Sequence, residues 1–345
     1  MKSKRITILV FLCIFLFTSL IFVAEGADKK AEPLILRLAH NGGYGTITEE
    51  GEYFEHRLNV NYNKFSELVW KNSNGEILIK VYPAGQLGSE EENIEMVKAG
   101  TVEMVNTSGG PFGRLAPSIQ ITALPFLWKD FEHLDQALEG ELGEFIAAEA
   151  EEKGIKVLAF AEDGFRWIQN NVRPINTIED VKGLKIRVQS APIYLDIMKA
   201  IKANPMTLSW GEVYTSLDTG VIDGVDNDAL SAISAHQYEV LKYCAVVPVS
   251  YSPHVLMMNL DLWNSLSAEN QEVIAESARE AARLGKKYGR WQLDSALKQI
   301  KDEGMEITNP DPKSFREATK GVYEKYFEEH PEWRPIVEKL QALVE

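Results

Sequence analysis

The longest periodic segment of the chain, residues 267–303, is the feature that most restricts its fold. It contains no proline, and Gly304 follows its last residue. Apolar residues recur in it at three- and four-residue steps, the pattern of a helix with one apolar face; they are Ile274, Ala278, Ala281, Leu284, Tyr288 and Trp291. A helix of about 37 residues is roughly 55 Å long, which is longer than one small domain. The segment must therefore span two domains or form a coiled-coil arm.

Polar residues near the end of this segment decide between the two alternatives. A heptad register fits as far as Trp291 and then meets Ser295 and Lys298 at its apolar positions, which a coiled coil does not favour. Only Gly285 and Gly289 weaken the helix prediction. We therefore predict one long helix that spans two lobes.

Short apolar runs alternate with helical patterns in the first part of the chain. Strands are predicted at 35–40, 77–82 and 102–106, and glycine-bearing loops follow the first and the last of them. Ser89, with Glu92 three residues later, predicts a capping box at the start of a helix. Strands that alternate with helices in this way indicate an α/β fold with a largely parallel sheet. Ligands of such sheets bind at the carboxyl ends of the strands, where these loops lie.

The length of 345 residues suits two domains rather than one. A first crossing between the domains is expected near Asp163, before a predicted strand at 165–169. We expect lobe I at residues 27–163 plus 228–252 and lobe II at residues 164–227 plus 253–266. The long helix is expected at 267–303, followed at 304–345 by a C-terminal strand with helices packed on the lobes.

Residues 1–26 have the pattern of a secretory signal peptide. Lys2, Lys4 and Arg5 precede an apolar run at 6–23, and small residues follow it, as at the site that a signal peptidase cleaves. We expect cleavage near the end of this segment and a periplasmic protein. The apolar run of 18 residues is also just long enough for a membrane span, so a retained anchor is the alternative.

Charge and cysteine content limit the partners and the source of stability. The formal net charge of −15 argues against nucleic acid, because no basic surface is available to neutralise phosphates. An acidic protein that binds an anion needs a local positive pocket, so the overall charge does not identify the ligand. Cys244 is the one cysteine outside residues 1–26, so the exported chain has no intramolecular disulfide and Cys244 is predicted to be buried.

The sequence lacks motifs of catalysis and metal binding. Its six histidines are scattered, and no two have the spacing of zinc ligands. It has no nucleophile elbow, phosphate-binding loop or dinucleotide fingerprint. Ser295 and Lys298 match a β-lactamase motif without its companion motifs, and we interpret them as one turn of the long helix. We therefore expect no catalytic residue, no cofactor and no metal ion.

Three aspartates, Asp223, Asp226 and Asp228, lie close together in the sequence. They do not match a calcium loop, which needs alternate acidic positions and a following glycine. A turn followed by a helix N-cap is favoured over a cation site.

The stretch 174–227 has a layout suited to a small organic anion. A short apolar strand carries Arg187, an aromatic residue follows at Trp210, and the amide of Asn227 closes the stretch. Arginine binds a carboxylate through two parallel hydrogen bonds, and its charge does not titrate away. A single arginine at a strand end more often forms a surface ion pair, so the prediction depends on all of these residues together.

The order and spacing of these residues resemble the solute-binding proteins of TRAP (tripartite ATP-independent periplasmic) transporters, the DctP-type family. Segments 81–88 (Val-Tyr-Pro-Ala-Gly-Gln-Leu-Gly) and 124–127 (Leu-Pro-Phe-Leu) support the resemblance. It covers nearly the whole mature chain from Leu36 onward. The resemblance implies an α/β, two-lobed periplasmic solute-binding protein fold, with a ligand cleft between the lobes and a long helix along both.

The resemblance also implies how a ligand carboxylate is held. In that family the arginine at the position of Arg187 grips the carboxylate, and the arginine that matches Arg166 assists it. The asparagine at the position of Asn227 holds the same carboxylate from the other side. The aromatic residue that matches Trp210 packs over the ligand.

The far end of the ligand is contacted by other residues. In family members that bind polyhydroxylated acids, residues matching Asn41, Glu90 and Ser108 face that end. One departure concerns the segment 225–228, which reads Val-Asp-Asn-Asp here, whereas many members have Gln-Glu-Asn-Pro. This departure weakens the case for a cation site built on the longer glutamate.

The leading hypothesis is an exported, monomeric binding protein that is not an enzyme. It captures a small organic acid and delivers it to the membrane permease subunits of a TRAP transporter. The alternatives are an exported enzyme that acts on an organic acid, with Asp or Glu as base, and a sensor that docks on a receptor kinase. The sequence leaves the acid open among C4-dicarboxylates, sugar acids, keto acids and aromatic acids.

Overall fold

The computed structural model describes residues 32–47 and 53–343. The signal peptide expected at 1–26 lies outside these residues. Within the described ranges, no helix combines the length and the apolar character needed to cross a membrane.

Strands and helices alternate along the described chain, as the sequence predicts. The strands are β1 (Leu34–Ala39), β2 (Thr46–Ile47), β3 (Tyr53–Phe54), β4 (Ile77–Tyr82), β5 (Met104–Ser108), β6 (Ile155–Asn170), β7 (Lys185–Val188), β8 (Asn204–Thr207), β9 (Gly224–Asn227), β10 (Tyr243–Asn259) and β11 (Glu306–Thr308). The α-helices are α1 (Arg57–Asn72), α2 (Glu90–Lys98), α3 (Gly109–Phe112), α4 (Phe131–Leu138), α5 (Glu141–Glu151), α6 (Pro192–Ala200), α7 (Val213–Asp218), α8 (Ala229–Ser234), α9 (Leu260–Ser265), α10 (Ala268–Asp302), α11 (Pro312–Glu329) and α12 (Trp333–Ala342).

The capping box predicted at the start of α2 is present. The Ser89 hydroxyl oxygen accepts a hydrogen bond from the Glu92 amide at 3.2 Å, and the Glu92 carboxylate accepts one from the Ser89 amide at 2.8 Å. These two bonds satisfy amide groups that a helix N-terminus otherwise leaves without a partner. The sequence therefore fixes where α2 begins, and α2 starts at the cavity described below.

One mixed sheet forms the centre of the molecule. Its strand order is β4-β1-β5-β10-β6-β9-β7-β8, and β11 pairs with β10. Strand β1 runs parallel to β5, and β7 runs parallel to both β8 and β9. The antiparallel pair β6 and β10 lies between these two groups. The sheet thus consists of two parallel groups joined by two long crossing strands.

The crossing strands connect the two halves of the fold. They pair from Tyr243 opposite Asn170 to Asn259 opposite Ile155, with three register irregularities, the largest of which leaves residues 246–249 of β10 without a partner in β6. Strand β5 pairs with the last part of β10, whereas β9 pairs with the last part of β6. This topology agrees with the predicted two-lobed α/β fold.

The strand pairing differs from the expected lobe boundaries in β10. Residues 254–258 pair with β5 in the first half, and residues 243–245 pair with β11. The sequence-based division had placed 253–266 in lobe II and 228–252 in lobe I. A continuous strand of 17 residues has no turn to mark its crossing point, so its sequence did not show which end belongs to which half. The remaining lobe boundaries stay a prediction.

The long helix α10 spans both halves, as predicted. Near its start, Ile274 and Ala278 pack in an apolar cluster with Leu36 of β1. Near its end, Ala296 and Ile300 pack in a separate cluster that contains residues of β6 and β9. The helix therefore contributes to the core on both sides of the crossing strands.

The buried face of α10 differs from the predicted one after Ala281. The Leu284 and Trp291 side chains are 41% and 72% exposed, and Gly285 and Gly289 lie on the buried face instead. An α-helix drifts by about 20° per heptad relative to a 3.5-residue repeat, so a heptad pattern leaves the core after a few turns. Gly285 and Gly289 have low helix propensity, but because they lack a side chain they allow α1 to approach α10 closely.

Gly285 faces α1 at very short range. A methyl group added at Gly285 would lie 2.9 Å from Asn61 Cβ, whereas one added at Gly321 in α11 would meet nothing within 4 Å. Both Gly→Ala changes gain helix propensity, about 1 kcal/mol, but the crowded site also pays an overpacking cost of about 1–3 kcal/mol. We expect Gly285→Ala to be less stable than Gly321→Ala by about 1–3 kcal/mol in urea unfolding. Equal stability of the two variants would contradict the close packing of α10 on α1.

Candidate functional site

A cavity of about 460 Å³ lies where strands from both halves of the sheet end. All seven residues predicted to bind a ligand contribute to its wall: Asn41, Glu90, Ser108, Arg166, Arg187, Trp210 and Asn227. The remaining wall residues, which sequence reasoning did not identify as site residues, are Gly42, His56, Arg57, Leu58, Asp163, Gln189, Ser231 and His254. The fold thus brings the predicted residues together, and their binding roles stay a prediction.

Strand ends position several of these side chains. Arg187 lies in β7 opposite Val225 of β9. Asn227 is the last residue of β9 and lies opposite Trp167 of β6. Ser108 is the last residue of β5. The carboxyl ends of parallel strands are where ligands of such sheets bind, so the topology agrees with the expected position of a site.

Arg187 is a buried cation without a carboxylate partner. Its side chain is almost inaccessible, with the residue 4% exposed, and Nε and Nη2 both donate to the Leu208 carbonyl oxygen, at 3.0 and 2.9 Å. Its guanidinium lies 5.8 Å from the centre of the Trp210 ring. Among the described residues it forms no ion pair, and Nη1 donates no hydrogen bond. Burial lowers the pKa of Arg187, although Asp226 opposes this effect.

Arg166 is buried as deeply as Arg187 but has carboxylate partners, although its Nε has no hydrogen-bond partner in the described part of the chain. It forms ion pairs with Asp163 at 3.3 Å and with Asp226 at 3.4 Å, and it also donates to the Asp226 carbonyl oxygen. Burial acts to lower the pKa of Arg166, but the two carboxylates outweigh burial and raise it. Arg166 therefore has carboxylate partners from the protein itself, whereas Arg187 has none among the described residues.

Arg57 is a third buried arginine in the wall, and sequence reasoning missed it. It pairs with Asp228 at 2.7 Å and with Asp163 at 3.3 Å, and it donates to the Ser231 hydroxyl at 3.1 Å. It is the first residue of α1, where the helix dipole disfavours a cation. A cation at this unfavourable position is the one sequence feature that could have suggested acidic partners for Arg57.

The three aspartates at 223–228 have separate structural roles. Asp228 caps α8, since its side chain accepts a hydrogen bond from the Ser231 amide at 2.7 Å, which confirms the N-cap interpretation. Asp226 lies inside β9 rather than in a turn, and burial raises its pKa to about 6 although Arg166 opposes this. In the described part of the chain, no group of three or more His, Cys, Asp or Glu side chains is arranged to hold a metal ion.

Glu90 is a buried acid held against the end of β5. Its carboxylate accepts hydrogen bonds from the Ser108 amide at 2.5 Å and from the Ser108 hydroxyl at 3.0 Å. Burial raises the pKa of Glu90 to about 7, although both bonds from Ser108 oppose the shift. Glu90 is therefore close to its midpoint of ionisation at neutral pH.

Uncharged polar side chains complete the wall. His56 Nδ1 accepts a hydrogen bond from the Leu58 amide at 3.1 Å, so the ring proton is on Nε2. His254 Nε2 lies 3.6 Å from an Asp163 oxygen, and the Gln189 amide donates to Asp163 at 2.7 Å. Burial lowers the pKa of both histidines, and the nearby Asp163 carboxylate opposes this effect. In the sequence, His254 and Gln189 are single polar residues that belong to no motif, which is too weak a signal to predict a site.

Comparison with known proteins identifies the family. The family model described as bacterial extracellular solute-binding protein, family 7 (DctP) matches residues 55–330. The chain belongs to the DctP family. This result confirms the resemblance found in the sequence.

Relatives of this DctP-family protein are named for different ligands. The 2,3-diketo-L-gulonate-binding periplasmic protein YiaO of Escherichia coli strain K12 is 34% identical over 277 residues, 80% of this chain and 83% of that protein. The C4-dicarboxylate-binding periplasmic protein DctP of Rhodobacter capsulatus is 29% identical over 311 residues, 89% of this chain and 90% of that protein. A TRAP periplasmic solute-binding protein from Roseobacter denitrificans, solved with bound β-D-glucuronate, has 33% identity and a TM-score of 0.82, covering 89% of this chain and 99% of that one. The two-lobed fold is thereby confirmed.

The raised pKa of Glu90 predicts a pH-dependent stability. Its folded pKa of about 7 lies above the ordinary value of 4.5, so its contribution to stability is fully present below about pH 4.5 and is lost as the pH rises through 7. Relative to Glu90→Gln, the parent should lose up to about 3 kcal/mol of unfolding free energy between pH 4.5 and 8. Urea unfolding over this range measures the difference.

The matched control for this experiment is Glu95→Gln, an exposed position of the same helix. Its stability profile should run parallel to that of the parent. A profile of Glu90→Gln that also runs parallel to the parent would show that Glu90 is not buried as described.

Proposed function

We propose that this DctP-family protein captures a small organic acid in the cavity and delivers it to the membrane permease subunits of a TRAP transporter. The single observation that carries the proposal is the buried Arg187 guanidinium, which has no carboxylate partner among the described residues. A buried charge is costly unless it is paired, and a ligand carboxylate supplies the missing partner. Its Nη1 donates to no residue in the described part of the chain, and a charge-assisted bond to a ligand is about twice as strong as a neutral one.

The other predicted residues receive roles that fit their positions. Asn227 lies at the end of β9 beside the strand that carries Arg187, and we assign it to the same ligand carboxylate. Trp210, half-buried beside the guanidinium, packs over the ligand. Arg166 assists through its positive field, since both of its carboxylate partners are already in place.

Asn41, Ser108 and Glu90 are assigned to the far end of the ligand. Glu90 and Ser108 are hydrogen-bonded to each other, so a ligand group that contacts one of them also contacts the other. The names of relatives support an organic acid: one is named for 2,3-diketo-L-gulonate, another for C4-dicarboxylates, and a solved structure holds β-D-glucuronate. Each of these compounds carries at least one carboxylate or equivalent acid group.

We further propose that the protein does not turn its ligand over. The family consists of solute-binding proteins, and the aspartates beside the cavity are held by arginines: Asp163 and Asp228 by Arg57, and Asp226 by Arg166. A carboxylate fixed in this way is a poor general base. Recovery of the bound acid unchanged after long incubation tests this part of the proposal.

Export to the periplasm and a monomeric state belong to the same proposal. Family relatives are named as periplasmic proteins, and residues 1–26 have the pattern of a signal peptide. Mass determination of the exported protein tests both cleavage and oligomeric state.

The proposed function predicts stabilisation by its ligand. An acid present at about a hundred times its dissociation constant should raise the unfolding free energy by about 2.7 kcal/mol. A thermal-shift screen of organic acids on the protein identifies such compounds. If no acid in a broad panel shifts the melting temperature, the proposal is wrong.

Arg187 should be essential for binding the acid that the screen identifies. Lysine keeps the charge but lacks the planar fork of arginine, so Arg187→Lys should weaken binding by roughly ten- to a hundredfold, and Arg187→Ala by more. Calorimetric titration measures both, with Arg279→Lys at an exposed position of α10 as the unaffected control. Binding by Arg187→Ala within about threefold of the parent would place the site elsewhere.

A further inference from the structure

The positive and negative side chains in and beside the cavity wall are unevenly paired. Three carboxylates, from Asp163, Asp226 and Asp228, face two arginines, Arg57 and Arg166, in one connected set of ion pairs. Each arginine of this network already contacts two aspartates, although the Nε of each has no hydrogen-bond partner among the residues that the structure describes. A ligand anion that approaches Arg57 or Arg166 therefore also meets the negative charge of these aspartates.

Arg187 is therefore the one arginine in the described wall that has no carboxylate partner. Arginines 57 and 166 are the other cationic residues that line the cavity, and no lysine lines it. Two acidic residues, Glu90 and Asp163, also line the cavity. A second ligand carboxylate would meet these acids and would find no unpaired cation.

The rest of the wall suits hydroxyl groups. Besides its charged residues and Trp210, the polar residues that line it are Asn41, His56, Ser108, Gln189, Asn227, Ser231 and His254. Together they present both donors and acceptors, and a hydroxyl group can donate and accept at the same time. An apolar tail would leave these buried polar groups without partners, which is the situation that makes a polar site reject an analogue lacking hydroxyls.

We infer that the cavity selects monocarboxylates with an uncharged, hydroxyl-bearing tail and rejects dicarboxylates. This inference rests on the proposed function and names the substrate class within it. Relatives are named for both classes of acid, so ancestry alone does not decide between them. The arrangement of charges in this chain favours the monocarboxylates.

A matched series of six-carbon acids tests the inference by calorimetric titration. Gluconate has one carboxylate and hydroxyls on the other carbons, glucarate replaces its terminal alcohol by a second carboxylate, and hexanoate has no hydroxyl. The cyclic monocarboxylate glucuronate is included, together with succinate as a C4-dicarboxylate. We expect gluconate or glucuronate to bind at least about a hundredfold more tightly than glucarate, hexanoate and succinate.

A variant at Glu90 tests the electrostatic part of the inference. At pH 8, above the pKa of Glu90, Glu90→Gln keeps an acceptor for the Ser108 amide but removes the negative charge, so the preference for gluconate over glucarate should fall by roughly tenfold. Glu95→Gln, at an exposed position of the same helix, should leave the preference unchanged.

The outcomes separate this inference from the proposed function. If succinate or glucarate binds as tightly as the hydroxylated monocarboxylates, and Arg187→Ala abolishes that binding, the inference is overturned and the proposed function stands. An unchanged preference in Glu90→Gln overturns the role assigned to Glu90 in rejecting dicarboxylates. If no acid of any class binds, the proposed function fails and the inference fails with it.

Discussion

The carboxylate of Asp163, shared by Arg57 and Arg166, is the interaction on which the cavity depends. Both arginine contacts measure 3.3 Å, and the Gln189 amide donates to the same carboxylate at 2.7 Å. The partners come from α1, from β6 and from the segment after β7, so one side chain joins elements of both halves of the fold. Although burial opposes it, these cations and His254 lower the pKa of Asp163 to about 2. Removing one partner from such a buried pair typically costs about 3–5 kcal/mol, because the other charge stays behind unpaired.

The pairing of two arginines leaves the third one distinct. Arg57 and Arg166 form ion pairs with aspartates inside the protein, whereas Arg187 has no carboxylate partner among the described residues. Under the proposed function, the unpaired charge of Arg187 is the group that a ligand carboxylate meets, and the paired arginines serve the wall around it. This division between the three arginines is how, in our proposal, a chain of net charge −15 binds an anion.

Sequence reasoning predicted features with local patterns and missed those that arise from contacts distant in sequence. The capping box of α2 and the span of α10 follow from short-range rules and were confirmed. The seven site residues were predicted from family resemblance, and the fold brings them to one cavity. The Arg57 pairs join residues more than 100 positions apart, and nothing local encodes them. The inward face of α10 was wrong after Ala281, because it depends on how closely Gly285 approaches Asn61, a tertiary contact.

The most direct test of this account compares the stability of two arginine variants without ligand. Arg166→Met leaves the Asp163 and Asp226 carboxylates without one of their cations, so it should lose about 3–5 kcal/mol of unfolding free energy. Arg187→Met removes a buried charge that has no carboxylate partner, so it should stay within about 1 kcal/mol of the parent or exceed it. Urea unfolding in a buffer free of organic acids measures both. Equal, large losses in the two variants would mean that Arg187 is a structural ion-pair residue, and would contradict the account.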